Sequence, residues 1–164
     1  MGKLAIYPGT FDPITNGHID IVIRGSKIFD EIIIAVGENP HKKTLFSHDE
    51  RVELVKEVVD QLGFPNITAD HFSGLLADYM RRKKAIAVIR GLRALSDFEY
   101  EFQLALANRK IYPQFETVFL MPSEQFIYLS SSMVKEIAQN GGDISQFVPP
   151  VVEEALYKKF GRAK

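Results

Sequence analysis

Tyr7-Pro8-Gly9-Thr10-Phe11-Asp12-Pro13-Ile14-Thr15-Asn16-Gly17-His18 is a turn-rich segment between two regular patterns. Before it, Leu4 to Ile6 is an apolar run suited to a buried strand. After it, Gly17-His18-Ile19-Asp20 opens a helix pattern. The segment therefore carries the chain from a strand to a helix N-terminus, with a histidine in the first helical turn. Amide N–H groups at such a junction lack intrahelical partners and lie at the positive end of the helix dipole. The combination predicts a phosphate site.

Strand and helix signals alternate through the rest of the chain. Ile32–Val36 reads as a strand buried on both faces. Ser47-His48-Asp49-Glu50 is a capping box, and Val52, Val55, Val58, Val59 and Leu62 then trace one helical face. Gly63-Phe64-Pro65-Asn66 stops that helix. Ile67–His71 predicts a further strand, Leu75–Arg82 a short helix and Ala85–Ile89 another strand. Ser96-Asp97-Phe98-Glu99 repeats the capping box and predicts a helix running to about Lys110. Thr117–Leu120 predicts the last strand, and Ser131–Gln139 a helix ended by Asn140-Gly141-Gly142. Pro149-Pro150 opens a terminal helix with Val151, Val152, Ala155, Leu156 and Phe160 on one face. This β-α-β-α order predicts an α/β fold, a parallel sheet with helices on both faces, in a single domain over residues 1–164.

Composition narrows the function. The chain has 164 residues, enough for one well-buried core. Its formal net charge is −1, so no basic excess favours nucleic acid or an anionic membrane surface as a partner. It has no cysteine, which excludes disulfides and thiolate metal sites and fits a cytoplasmic location. The N-terminus reads without a signal peptide, and no apolar run reaches membrane-spanning length.

In open parallel sheets, ligands bind beyond the carboxyl ends of the strands. Thr10 and His18 follow the first strand here, and Pro40-His41-Lys42-Lys43 follow the second. Arg90-Gly91-Leu92-Arg93 follow the fourth, and Ser123, then Ser130-Ser131-Ser132, follow the fifth. Cations, hydroxyls, glycine and a helix start are phosphate-binding chemistry. Each has an ordinary structural use as well. Arg90 and Arg93 can pair with Asp97, Glu99 or Glu101, the serines can cap a helix, and Asp12-Pro13 can be a plain turn. Their coincidence at strand ends favours one shared anion site. Dinucleotide and Walker fingerprints are missing from the sequence, as is a serine-nucleophile elbow, and the four histidines lack close metal-ligand spacing.

Thr15-Asn16-Gly17-His18 resembles the H/T-x-G-H signature of the nucleotidyltransferase superfamily. The longer string Tyr7 to Asp20 is similar to that of the bacterial phosphopantetheine adenylyltransferases. So are Ile89 to Ala94, Asp97 to Glu101, Leu120-Met121-Pro122 and Leu129 to Glu136. The resemblance covers essentially the whole chain in order. It implies a Rossmann-like, doubly wound nucleotidyltransferase domain that joins 4′-phosphopantetheine to the AMP part of ATP, giving dephospho-coenzyme A and pyrophosphate. It also implies Mg2+ bound with ATP, a homohexamer and coenzyme A as a further ligand.

Carried over by position, Thr10 meets both substrates, Phe11 offers its backbone to the nucleotide and His18 bonds the α-phosphate as the catalytic residue. Lys42 and Arg90 hold the acceptor phosphate and Leu76 touches the pantetheine arm. Gly91, Leu92, Arg93 and Glu101 line the nucleotide pocket. Phe126, Ile127, Tyr128, Leu129, Ser130, Ser131 and Ser132 close over ATP. Phe126 stands where the family often has Trp. The reaction asks for little acid–base chemistry, because the attacking phosphate oxygen is already anionic. It needs two polyanions aligned and their charge neutralised. Read from the residues alone, a different adenylyl- or cytidylyltransferase, a non-catalytic nucleotide-binding module and a structural interaction domain also stay open.

Overall fold

Five strands form one parallel sheet in the order β3-β2-β1-β4-β5. The structure, a computed structural model, describes residues 2–38 and 41–162, with the side chains of residues 95 and 96 also outside that description. The strands are β1 (Leu4–Gly9), β2 (Glu31–Gly37), β3 (Ile67–Phe72), β4 (Ala87–Gly91) and β5 (Glu116–Leu120). The helices are α1 (Asn16–Gly25), α2 (His48–Leu62), α3 (Leu76–Lys83), α4 (Leu95–Ile111), α5 (Ser131–Gln139) and α6 (Pro150–Lys159). The doubly wound α/β expectation is met.

Side chains alternate across the sheet, as the pleat requires. Ala5 and Tyr7 of β1 join Ile32, Ile34, Val36, Ala87 and Ile89 in the larger core, with α1, α2, α5 and α6 packed on it. Ile6, Ala35 and Val88 face the other way and meet Ala77, Tyr79 and Met80 of α3. Burying each large aliphatic contributes ~1.5–3 kcal/mol, so the larger core fixes the architecture. α1 packs tightly on the sheet at Gly25. A Cβ at Gly25 would come within 2.8 Å of Ile89 Cδ1 and 2.9 Å of Ile32 Cδ1.

Both Ser47 and Thr15 cap their helices with reciprocal capping boxes. The second sequence box does not hold. α4 starts at Leu95 after Ala94, with no side-chain cap, and the Asp97 N–H bonds the Ala94 carbonyl at 3.1 Å. The helix has begun before Ser96, so that residue occupies an interior position. None of the side chains described in α4 is buried.

β1 pairs with β2 on one side and β4 on the other, while the chain order reverses between them. That is the switch point, and a crevice opens beyond the carboxyl ends of β1 and β4.

Candidate active site

The segment after β1 sets the floor of this crevice. Phe11 adopts φ 49°, in the left-handed region that a bulky residue enters only at a cost of ~1–3 kcal/mol. Its ring is held edge-on to Tyr7 at 5.5 Å and to His18 at 5.1 Å. Gly9 makes room for that ring, since a Cβ there would lie 2.8 Å from Phe11 Cζ. The aromatic cluster therefore holds the strained turn, and Phe11 lines the cleft.

His18 occupies the third position of α1. Its Nδ1 accepts the Thr15 N–H at 3.0 Å, which leaves the ring proton of neutral imidazole on Nε2. Burial, and secondarily the positive charge of Arg93, push its pKa down to about 4. The imidazole is thus a neutral Nε2–H donor at pH 7. The helix terminus itself is less open than the sequence implied. Asn16 N–H goes to the Phe147 carbonyl at 2.8 Å and His18 N–H to Thr15 Oγ1 at 3.4 Å.

Cations enter from three directions. Lys42 Nζ lies 3.3 Å from Thr10 Oγ1. Arg90 grips Glu101 through two hydrogen bonds of 2.7 and 2.5 Å and also reaches the Pro8 carbonyl at 3.2 Å. Arg93 donates to the Leu129 carbonyl at 2.9 Å and lies 3.8 Å from Asp97. The ion-pair roles of both arginines are therefore real. Each still lines the cleft, so pairing orients the guanidinium without removing it from the site.

The cleft encloses about 540 Å³. A neighbouring cleft of about 740 Å³ shares Pro8, Gly9, Thr10 and Arg90 with it and continues past His41, Phe72 and Leu76. Two concavities meeting on one wall suit two ligands whose reactive ends must touch.

A family model described as cytidylyltransferase-like matches residues 6–137. The chain is 55% identical to the phosphopantetheine adenylyltransferase of Caldanaerobacter subterraneus subsp. tengcongensis, over 98% of this chain and 99% of that one. It is 57% identical to the phosphopantetheine adenylyltransferase of Dictyoglomus thermophilum, over 96% of this chain and 94% of the relative. The chain belongs to the phosphopantetheine adenylyltransferase family. A solved structure of a bifunctional NMN adenylyltransferase/ADP ribose pyrophosphatase from Francisella tularensis matches it with a TM-score of 0.71 at 15% identity. That match covers 96% of this chain and 49% of the other, and it is a likeness of fold.

Most of the residues that the family resemblance singles out converge on the first cleft. Thr10, Phe11, His18, Lys42, Arg90, Gly91, Arg93, Glu101, Phe126, Leu129, Ser130, Ser131 and Ser132 line it. Leu76 lies in the adjoining cleft. Leu92, Ile127 and Tyr128 are not among the lining residues. Leu92 uses its N–H to bond the Leu120 carbonyl at 3.0 Å, and Tyr128 is exposed with its ring edge-on to Phe147. Of the strand-end residues, Pro40 lies outside the described positions. Ser130 caps α5 through the Met133 N–H, and Ser131 donates to the Pro13 carbonyl at 2.8 Å. Ser123 bonds Asp20 through its N–H and its hydroxyl, each at 2.7 Å, which ties the segment after β5 to α1.

Three supporting residues escaped the sequence reading. Asp12, read as a turn residue, is buried and takes three donors. Lys135 lines the cleft one helical turn after Ser131, a spacing that could have flagged it. Arg51 is buried and donates to the Thr10 and Gly37 carbonyls, at the ends of β1 and β2. Its sequence position inside an amphipathic helix gave no signal.

Proposed function

We infer that this chain transfers the adenylyl group of ATP to 4′-phosphopantetheine, giving dephospho-coenzyme A and pyrophosphate. The observation that carries a transfer reaction, rather than simple binding, is the shared wall of the two clefts at Thr10 and Arg90. The acceptor follows from near full-length identity above 50% to proteins named for it.

In the reaction a phosphate oxygen of phosphopantetheine attacks the α-phosphorus. The bond from that phosphorus to the bridging oxygen breaks, and pyrophosphate leaves with the electron pair. No protein group has to take a proton. Lys42 and Arg90 hold the acceptor phosphate against the nucleotide, lowering the repulsion of the two anions. His18 Nε2–H donates to a non-bridging α-phosphate oxygen as its charge grows. Arg93 and the serines at the start of α5 bind the remainder of the triphosphate, beneath the 126–132 segment.

Among the described residues no group of three His, Asp or Glu could hold a metal. Mg2+ in this reading travels on the ATP phosphates and water, and no protein cage is assigned to it. The reading includes a homohexamer and work in the cytoplasm. Exposed Phe98, Phe102 and Leu106 on α4, a helix with no buried side chain among those described, support self-association. Among the described residues no helix is long and apolar enough to cross a membrane.

Pyrophosphate release with ATP, Mg2+ and one acceptor at a time tests the reading. Phosphopantetheine is expected to support turnover, and nicotinamide and nicotinate mononucleotides are not. Turnover with a mononucleotide alone would overturn the acceptor, and tight ATP binding with no turnover on any acceptor would overturn the reaction.

A further inference from the structure

A carboxylate is an odd neighbour for two polyanions, yet Asp12 sits in the wall of the cleft, 5% exposed. Both of its oxygens are engaged. Oδ1 accepts the Phe46 N–H at 2.9 Å, and Oδ2 accepts the Leu45 N–H at 3.0 Å and Lys135 Nζ at 2.6 Å. Burial raises the cost of its charge, but Lys135 and the two amides outweigh that and hold its pKa below the usual carboxylate value. The group is therefore an anion at neutral pH.

The three donors come from two parts of the site. Leu45 and Phe46 end the loop that carries Lys42, whose Nζ lies 3.3 Å from Thr10 Oγ1. Lys135 stands on α5, one turn after Ser131, on the side where the serines meet the cleft. Charge-assisted hydrogen bonds to a buried carboxylate are short and directional, so they fix both partners. We propose that Asp12 is a positioning residue that sets the Lys42 loop and the Lys135 ammonium from one carboxylate, coupling the acceptor side of the cleft to the nucleotide side. The assignment of sides rests on the transferase reading above.

Lys135 has two tasks in this arrangement. It faces the cleft as a cation, and it masks the charge of Asp12 from the incoming phosphates. Removing it leaves a bare carboxylate beside them. Removing the carboxylate as well takes that repulsion away. The two substitutions should therefore oppose each other in part, whereas two ordinary structural losses would accumulate.

The test uses the full chain with Asp12→Asn, Lys135→Met and the double variant. Lys135→Met is expected to raise the KM for phosphopantetheine and the Kd for ATP by about tenfold each, the scale of one lost charge contact. Adding Asp12→Asn to it is expected to recover about threefold or more of both losses. Asp12→Asn alone is expected to lower kcat/KM for both substrates while the folded protein keeps its unfolding transition within a few degrees. A double variant equal to or worse than Lys135→Met overturns the proposal, as does a Lys135→Met protein with wild-type constants. Lys135 is partly exposed, so its replacement tests the proposal even where Asp12→Asn fails to fold. ATP affinity, read by calorimetry, keeps the two inferences separable. A wild-type chain without turnover on phosphopantetheine fails the transferase reading, while recovery of ATP affinity in the double variant still decides the role of Asp12.

Discussion

His18 shows how far one residue can be understood from its local bonds. Thr15 N–H fixes Nδ1 as an acceptor, and burial removes the proton that would otherwise bind there. In the free protein the ring is expected to stay neutral, protonated on Nε2, as pH falls from 8 to 5. An NMR titration that finds an ordinary midpoint near ~6.5 would contradict this. A histidine with a depressed folded pKa contributes stability that is complete above its unfolded pKa, and that stability is lost as pH falls from ~6.5 toward the folded value of about 4. For catalysis, His18→Ala should lower kcat by about 100- to 1,000-fold, the scale of one lost oxyanion donor, with ATP affinity changed far less. Steady-state kinetics with a direct ATP-binding measurement check it. Lys42→Ala and Arg90→Ala should instead raise the KM for phosphopantetheine by roughly tenfold each. Arg90→Ala should carry an added cost, because Glu101 loses both of its bonds from that guanidinium.

At the scale of elements, local signals worked where the side chain could act on its own backbone. The capping box at Ser47 was legible because the capping residue and its Glu50 partner lie within four residues, whereas the box at Thr15 is closed by His18 in place of Glu or Gln and was not read. Thr15→Ala should cost ~1 kcal/mol and lower the melting temperature by a few degrees, measured by calorimetry. The Thr15 N–H bond to His18 survives that change, so kcat should fall much less than in His18→Ala. The apparent box at Ser96 failed because α4 begins two residues earlier than that box requires, at Leu95 after Ala94. The same locality explains what was missed. Asp12 and Lys135 are 123 positions apart, and the Leu45 and Phe46 amides lie more than 30 positions from Asp12. No sequence pattern connects groups that meet only through tertiary packing.

At the scale of the molecule, α4 presents an uncovered apolar face. Phe98 stacks on Phe102 at 5.6 Å and meets the Phe119 ring edge-on, while Phe102 and Leu106 stay about half exposed. A second copy of the chain covering this face would bury it. Phe102→Glu with Leu106→Glu should shift the protein from an oligomer to a monomer by light scattering, and an unchanged mass would show that α4 is not the interface. The sequence by itself determined the order of strands and helices, the parallel sheet, and the polar groups that follow each strand. Those properties depend on hydrophobic period and on contacts within a few residues. It also carried the family, through long matched strings. Only the tertiary structure decided which strand-end groups face one cleft, that Arg90 is gripped by Glu101, that His18 is neutral, and that Asp12 joins Lys135 to the Leu45 and Phe46 amides. Each of those depends on burial and on distances between segments far apart in the chain, which fix the local dielectric and the partner of every charge.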